Sequence, residues 1–380
     1  MMKKEYIILT EGDANSINTW SNVPYFFSKA IEKNGGIVHR IDISFSKNAN
    51  IFEKFIAQIY KLYFKIFHML NKNNDIYGFT RTKFYKCVID RKIKESIEKY
   101  PNANIISMNF SHIGGKYSKD IKSLMFCDWS IKYLIEQQEK RKPGTFEKIA
   151  IKRQEEEIDK ATYVVSLFPA VKRFMEIELG RKIEYLGNVI NSEVVEFNSE
   201  ELIEKKYKSK RYIFIGRKRY IESIKKVIQT VIEYNINIEI DVIGLNKDDD
   251  KLLNQPFVFC HGYLSKNDSE QRKLYYDSIM NAKAIINVTE EWNGMSSIIE
   301  TMYYNTPIIV MPNENTIETF GENCDFGCYL KKNDCIEIKE ALYKIEKCDF
   351  KDYKYMCEKA HKLVKDFSWD NYINKNMRLL

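Results

Sequence analysis

The segment Asn287-Val-Thr-Glu-Glu-Trp-Asn-Gly-Met-Ser-Ser-Ile-Ile-Glu300 is the most informative stretch of the chain. An apolar strand runs into an acidic loop holding Glu290 and Glu291, Gly294 lets a ligand approach the backbone closely, and a helix opens at Ser296. The first amides of a helix lack partners inside it and lie at its positive dipole end, so they suit phosphate or sugar oxygens. Glu300, about one turn in, offers a carboxylate to ribose or sugar hydroxyls. Its plainer reading is an ordinary first-turn acid, favoured by the same dipole. The residues argue against two other chemistries. Cys324, Cys328 and Cys335 cluster without zinc spacing or a nearby His. No Gly-x-Gly-x-x-Gly follows an expected strand, which disfavours a dinucleotide-dependent dehydrogenase.

Strands alternating with helices must position this loop. Expected strands at Tyr6–Thr10, Ile37–Ile43, Asn104–Asn109, Ser123–Phe126, Tyr163–Leu167 and Ile183–Leu186 interleave with helices such as Pro24–Asn34 and Ala170–Leu179. A polar stretch over 191–210 reads as a linker. A second series follows, with strands at Tyr212–Ile215, Ile238–Ile243, Phe257–Cys260, Ala284–Val288 and Ile308–Met311. Two such series imply an α/β chain of two Rossmann-like, doubly wound parallel-sheet domains, 1–190 and 211–366, with the closing helix 367–380 able to pack back on the first. Ligands are expected at the carboxyl ends of strands, in a cleft that the two domains face.

Composition agrees with that class. Only 15 glycines and 7 prolines among 380 residues argue against a turn-dense all-β fold. A net charge of +7 suits an anionic ligand or lipid surface better than nucleic acid, which is not expected as a partner. No apolar run approaches the roughly 20 residues of a membrane span, and the first residues do not form a signal peptide. A cytoplasmic chain with reduced thiols is the expectation.

The segment Glu300-Thr-Met-Tyr-Tyr-Asn-Thr-Pro-Ile-Ile resembles the Glu-Ala-Met-Ala-x-Gly-Thr-Pro-Val-Ile signature of family-four glycosyltransferases, which have the GT-B fold. Phe214-Ile-Gly-Arg217, the stretch Phe259–Asp268, Asn281-Ala-Lys-Ala284 and Phe367-Ser-Trp369 follow the family's order. The likeness covers the chain from about residue 160 onward and is mostly architectural before it. It implies a retaining, metal-independent transferase, without cofactor, that moves a sugar from a nucleotide diphosphate donor to a cell-surface polysaccharide or lipid-linked acceptor. A sugar-nucleotide epimerase or hydrolase, or a non-catalytic partner subunit, are the alternatives. By the same likeness Glu300 would bind ribose, and Arg217 the donor diphosphate, where a guanidinium fork suits phosphate oxygens. Gly294, Met295, Ser296 and Ser297 would meet sugar and phosphate through backbone amides, and His261, Gly262 and Tyr263 would lie near the nucleobase. Arg217 as a surface cation and His261 as a satisfied strand-end histidine are the plainer readings.

The sequence departs from the family in three places. The first acid of Glu-x7-Glu falls on Trp292, so Glu291 takes the catalytic position only with a one-residue loop insertion. The family's second basic residue has no clean match, and Lys218 or Arg219 substitutes for it. Asn305 replaces a Gly, which is mild because Asn tolerates left-handed backbone. In the first domain, Gly12 is all that remains of a Gly-rich phosphate loop. Asp13 and His112, both after expected strands, are acceptor-side or catalytic candidates, with His112 preceding the turn Ile113-Gly114-Gly115. Asp248-Asp249-Asp250 contains an Asp-x-Asp, but between Lys247 and Lys251 it reads as a solvated charge run, and no metal is expected there.

One helix has a second meaning. Over Asn50–Leu70, Phe52, Phe55, Ile56, Ile59, Tyr63 and Phe67 recur at helical spacing while Lys54, Lys61 and Lys65 take another face. The first reading is a core helix with a solvated basic side. The second is peripheral docking on an anionic membrane, on the inner face of the cell membrane for a cytoplasmic chain.

Overall fold

The computed structural model of the chain describes residues 4–71, 76–113, 121–190, 197–289 and 295–379. They form two compact units, 1–188 together with 369–380, and 189–368. The first holds six strands, β1 (Glu5–Thr10), β2 (Ile37–Asp42), β3 (Asn104–Ser107), β4 (Ser123–Cys127), β5 (Tyr163–Ser166) and β6 (Glu184–Tyr185). Their order is β2-β1-β3-β4-β5-β6, every neighbouring pair parallel. The second holds β7 (Arg211–Ile215), β8 (Glu239–Ile243), β9 (Val258–Gly262), β10 (Ala284–Asn287), β11 (Ile308–Val310) and β12 (Gly327–Tyr329), in the order β12-β11-β10-β7-β8-β9, again parallel throughout.

Both faces of the second sheet are covered, and β7 shows why its sequence is a continuous apolar run. Tyr212 and Phe214 point into one cluster with Ile240, Val242 and Ile286, while Ile213 points into the other with Ile243, Ile285 and Ile308. A strand buried on two faces cannot alternate apolar with polar. Each large side chain so buried contributes about 1.5–3 kcal/mol.

The structure differs from the sequence reading at four elements. The expected linker contains a helix, Ser199–Lys208, whose start is capped by Asn198 accepting from the amides of Glu200 and Glu201. Its charged residues hide a short buried stripe of Leu202, Ile203 and Lys206. The helix Lys83–Lys99 is equally masked by charge, although Tyr85, Val88, Ile89, Ile93 and Ile97 line its inner face and Thr82 caps it. Strand β12 is three residues at a sheet edge, where a Cβ on Gly327 would lie 2.1 Å from the Ile308 carbonyl oxygen. The helix Ile51–Asn71 is not a core helix on the face expected: Phe52, Phe55, Ile59 and Tyr63 are exposed, and Ile56 and Phe67 only half-buried.

Two other positions match their chemistry. Asn305 adopts φ 55° and is buried, with its amide bonded to Ser199 and to the Cys357 carbonyl. The closing helix, Trp369–Met377, packs in the first unit, its Trp369 ring 5.6 Å from that of Phe27.

Lys206 gives the fold a pH dependence. Its fully buried ammonium donates to the carbonyls of Ile279 and Ala282 and to the Thr306 hydroxyl, closing the end of the helix Ser269–Asn281. Burial pulls its pKa from 10.5 down to about 7. Between those values the unfolded chain keeps a proton that the folded chain releases, so stability rises as pH climbs from about 7 towards 10.5. The thermal midpoint is expected to increase between pH 7 and about pH 9, and Lys206→Met to flatten that slope. An unchanged slope in the variant would assign it elsewhere.

Candidate functional site

Each sheet reverses its direction of growth once. From β1 the chain adds β2 on one side and β3 on the other; from β7 it adds β8 and β9, then returns to place β10 on the opposite side. At such a point the connections leave towards opposite faces and open a crevice beyond the strands' carboxyl ends.

In the second unit, β7, β8 and β9 each end at a glycine, Gly216, Gly244 and Gly262. Gly244 has φ +96°, and a Cβ there would lie 2.3 Å from the Gly216 carbonyl oxygen. Gly262 has φ +64°, and its Cβ would lie 2.7 Å from Asn246 Oδ1. The strand ends therefore present bare backbone. Arg217 follows directly; it is exposed and makes no ion pair among the described residues. Lys218 is turned to Asp249, 3.1 Å away, and Arg219 lies over the Tyr220 ring at 4.8 Å. Tyr263 is exposed, whereas His261 is held on the sheet by Asp241, its Nε2 2.7 Å from Oδ1, at the bulge where β9 slips against β8.

Across the switch point, Glu291 and Gly294 lie outside the described residues. Met295 is buried, Ser296 exposed and Ser297 half-buried as the helix Ser296–Tyr303 opens. Glu300 is not a simple first-turn acid. It is 4% exposed, and Lys266 Nζ donates to both its carboxylate oxygens, at 2.7 and 2.9 Å. The Tyr275 hydroxyl donates to Oε2 at 2.8 Å, and burial followed by the Glu300 charge keeps that phenol protonated. Lys266 also lies 4.5 Å from the Tyr275 ring centroid, a cation–π contact. A carboxylate can accept about four hydrogen bonds, and Lys266 and Tyr275 supply three of them here. Lys266 escaped the sequence reading because it sits in a polar loop, Ser265–Asp268, far from Glu300 in the chain. The signal was the need of a carboxylate flanked by Ile298, Ile299 and Met302 for a cation.

The acidic run at 248–250 is occupied by local structure. Asp249 accepts from the Asn246 amide, and Asp250 accepts from the Leu252 amide and pairs with Lys225 at 3.0 Å. Among the described residues no three His, Cys, Asp or Glu side chains group as metal ligands.

In the first unit a cavity of about 300 Å³ opens at the switch point, between the ends of β1, β3 and β4. Glu11, Arg81, Asn109, Asp128 and the indoles of Trp20 and Trp129 line it. A smaller hollow of about 160 Å³ shares Glu11 and Arg81 and reaches His112. Glu11 is open through the mouth but walled by protein: that burial raises its pKa, while the Tyr85 hydroxyl and Arg81 pull it back. Burial likewise raises Asp128. His112 is buried and pushed down to about 4, chiefly by burial and then by Lys86, so its imidazole is neutral near pH 7. Its Nδ1 and the Asn109 Nδ2 are buried without a hydrogen-bond partner among the described residues.

Of the first-domain candidates, His112 therefore lines the smaller hollow, and two others line neither. The Gly12 amide already donates to Asp42, and Asp13 is exposed, accepting from Asn15 within its own turn. Glu11, Arg81, Asn109 and Asp128 come from four separate segments, a convergence no local spacing announces. A larger, shallower hollow of about 730 Å³ lies past β11 and β12, beside Met311, Tyr329 and Lys344, away from the switch point.

No family model matches the chain. No curated protein is similar to it in sequence. Its likeness is to solved structures of glycosyltransferases. A glycosyltransferase from Rickettsia africae is 14% identical with a TM-score of 0.65, covering 100% of this chain and 98% of that one. Sucrose-phosphate synthase from Thermosynechococcus elongatus is 11% identical with a TM-score of 0.67, covering 99% and 98%. A TarM variant from S. aureus, in complex with Fondaparinux, alpha-GlcNAc-glycerol and UDP, is 14% identical with a TM-score of 0.55. It matches 77% of this chain, which spans 58% of TarM. The chain thus has the two-domain GT-B fold of these enzymes.

Proposed function

We propose that the chain is a glycosyltransferase that moves a sugar from a nucleotide diphosphate donor, held by the second unit, to an acceptor held by the first. The observation that carries this reading is the second unit's switch point. There, glycine-bared strand ends, the exposed guanidinium of Arg217 and a helix start stand together with a buried carboxylate, Glu300, held by Lys266 and Tyr275. Arg217 and the amides at Met295–Ser297 would stabilise the leaving diphosphate as its charge develops, work that a metal does elsewhere. Transfer would then need no metal, and retention of configuration is what the resemblance to family-four glycosyltransferases implies. Glu300 would accept from ribose. In the first unit, two indoles, two carboxylates and the Asn109 Nδ2, which has no partner among the described residues, supply the apolar faces and polar groups that a saccharide needs. The glycosyltransferases of the same fold support the reading, TarM having been solved with UDP.

Calorimetric titration tests the donor half. Arg217→Ala is expected to weaken nucleoside diphosphate binding by about 1.5–3 kcal/mol, leave the free nucleoside unchanged, and give the same values with excess EDTA. Because Arg217 is exposed, folding stability should move by no more than about 0.5 kcal/mol. Equal losses for nucleoside and diphosphate, or none, would remove Arg217 from the phosphate site. Affinity that vanishes with EDTA and returns with magnesium would overturn the metal-free mechanism.

A further inference from the structure

The helix Ile51–Asn71 carries an apolar face that the first unit leaves uncovered. Its 21 residues run about 30 Å at 1.5 Å per residue. The helical period divides its surface into three arcs. One packs on the unit through Ala57 and Phe64, both buried. The second presents Phe55, Ile59, Leu62, Ile66 and Met69, and the whole series is open to solvent, Leu62 at 60% and Met69 at 71%. The third carries Lys54, Lys61 and Lys65, all exposed, flanking the apolar arc. An uninterrupted apolar strip of this length marks an interaction surface rather than scattered exposure.

Charge selects the occupant. The only acid on the helix, Glu53, is held by Arg91 through two hydrogen bonds of 2.7 and 2.9 Å and is largely shielded. The outer surface of the helix therefore shows cations and no anion. Two-fold pairing with a second copy would bring the same helix face to meet itself and offer those lysines no carboxylate from it. Lipid phosphates do offer them an anion, and the long lysine stems let the ammonium groups rise to headgroup level while the apolar arc sinks. Among the described residues no helix is long and apolar enough to cross a membrane, so this one would lie along the surface.

We infer that the helix Ile51–Asn71 docks the protein in the plane of an anionic lipid surface, its Phe55–Met69 strip in the acyl boundary and Lys54, Lys61 and Lys65 at the phosphates. Flotation of the full chain with vesicles tests this, comparing mixed phosphatidylglycerol and phosphatidylcholine with phosphatidylcholine alone. Recovery with the mixed vesicles is expected, and to fall as salt is raised. Phe55→Ser/Ile59→Ser/Leu62→Ser and Lys54→Gln/Lys61→Gln/Lys65→Gln should each lower vesicle affinity about tenfold or more, with an unchanged thermal midpoint because these side chains are exposed. No recovery with anionic vesicles, or full recovery of the serine variant, overturns the inference. So does a dimer by light scattering that the serine variant converts to monomer, since the face would then belong to a second copy.

Discussion

Glu300→Gln is expected to destabilise the second unit by about 3–5 kcal/mol, the cost of breaking a buried ion pair from one side. The variant keeps the shape of the side chain but leaves the Lys266 ammonium, 14% exposed, without its counter-charge. A first-turn acid at the surface would have cost only about 0.3–1 kcal/mol. Lys266→Met combined with Glu300→Gln removes both charges and should recover most of the loss, because replacing a whole buried pair is far milder than orphaning one member. Chemical denaturation of the wild type, the single and the double variant measures this; additive losses in the double variant would show that the pair does not act as one. The double variant also separates support from binding. If Glu300 accepts from ribose, nucleoside affinity in the restored variant stays about 1.5–3 kcal/mol below wild type. Wild-type affinity there would leave Glu300 as the anchor of its helix and nothing more.

Glu11→Gln should lower kcat/KM for the acceptor by about 10- to 150-fold, the equivalent of one charged hydrogen bond of about 1.5–3 kcal/mol, and leave nucleotide affinity untouched. The pH profile carries a sharper mark. Enclosure raises Glu11 above an ordinary carboxyl, so the acid limb of the acceptor-dependent rate should begin at a higher pH than an exposed carboxylate would give. Arg81 opposes that shift. Arg81→Met should therefore move the limb to higher pH still, and Glu11→Gln should abolish it. Steady-state kinetics across pH with saturating donor decide the matter. Acceptor kinetics indifferent to both variants would show that the cavity between β1, β3 and β4 does not hold the acceptor.

These two sites mark the limits of what local sequence carries. The alternation of apolar runs with amphipathic stretches determined the parallel sheets, because a strand buried on both faces has to be apolar throughout, as Tyr212–Ile215 is, and parallel strands require crossovers. Local chemistry also placed Arg217 at a strand end, Ser296 at a helix start and Asn305 in left-handed backbone, since each depends on a few neighbouring residues. The helices Ser199–Lys208 and Lys83–Lys99 were hidden because charged residues diluted a narrow buried stripe. Tertiary structure decided the rest. Lys266 meets Glu300 from 34 residues away, and Glu11, Arg81, Asn109 and Asp128 converge from separate strands and loops. Spacing in the chain holds no record of such meetings; they arise when strand order brings carboxyl ends side by side. The apolar stripe of Ile51–Asn71 was plain in the sequence, but its direction was not. Helical periodicity shows that one face differs from another, and only the packing of Ala57 and Phe64 against the first unit determines which face remains in water.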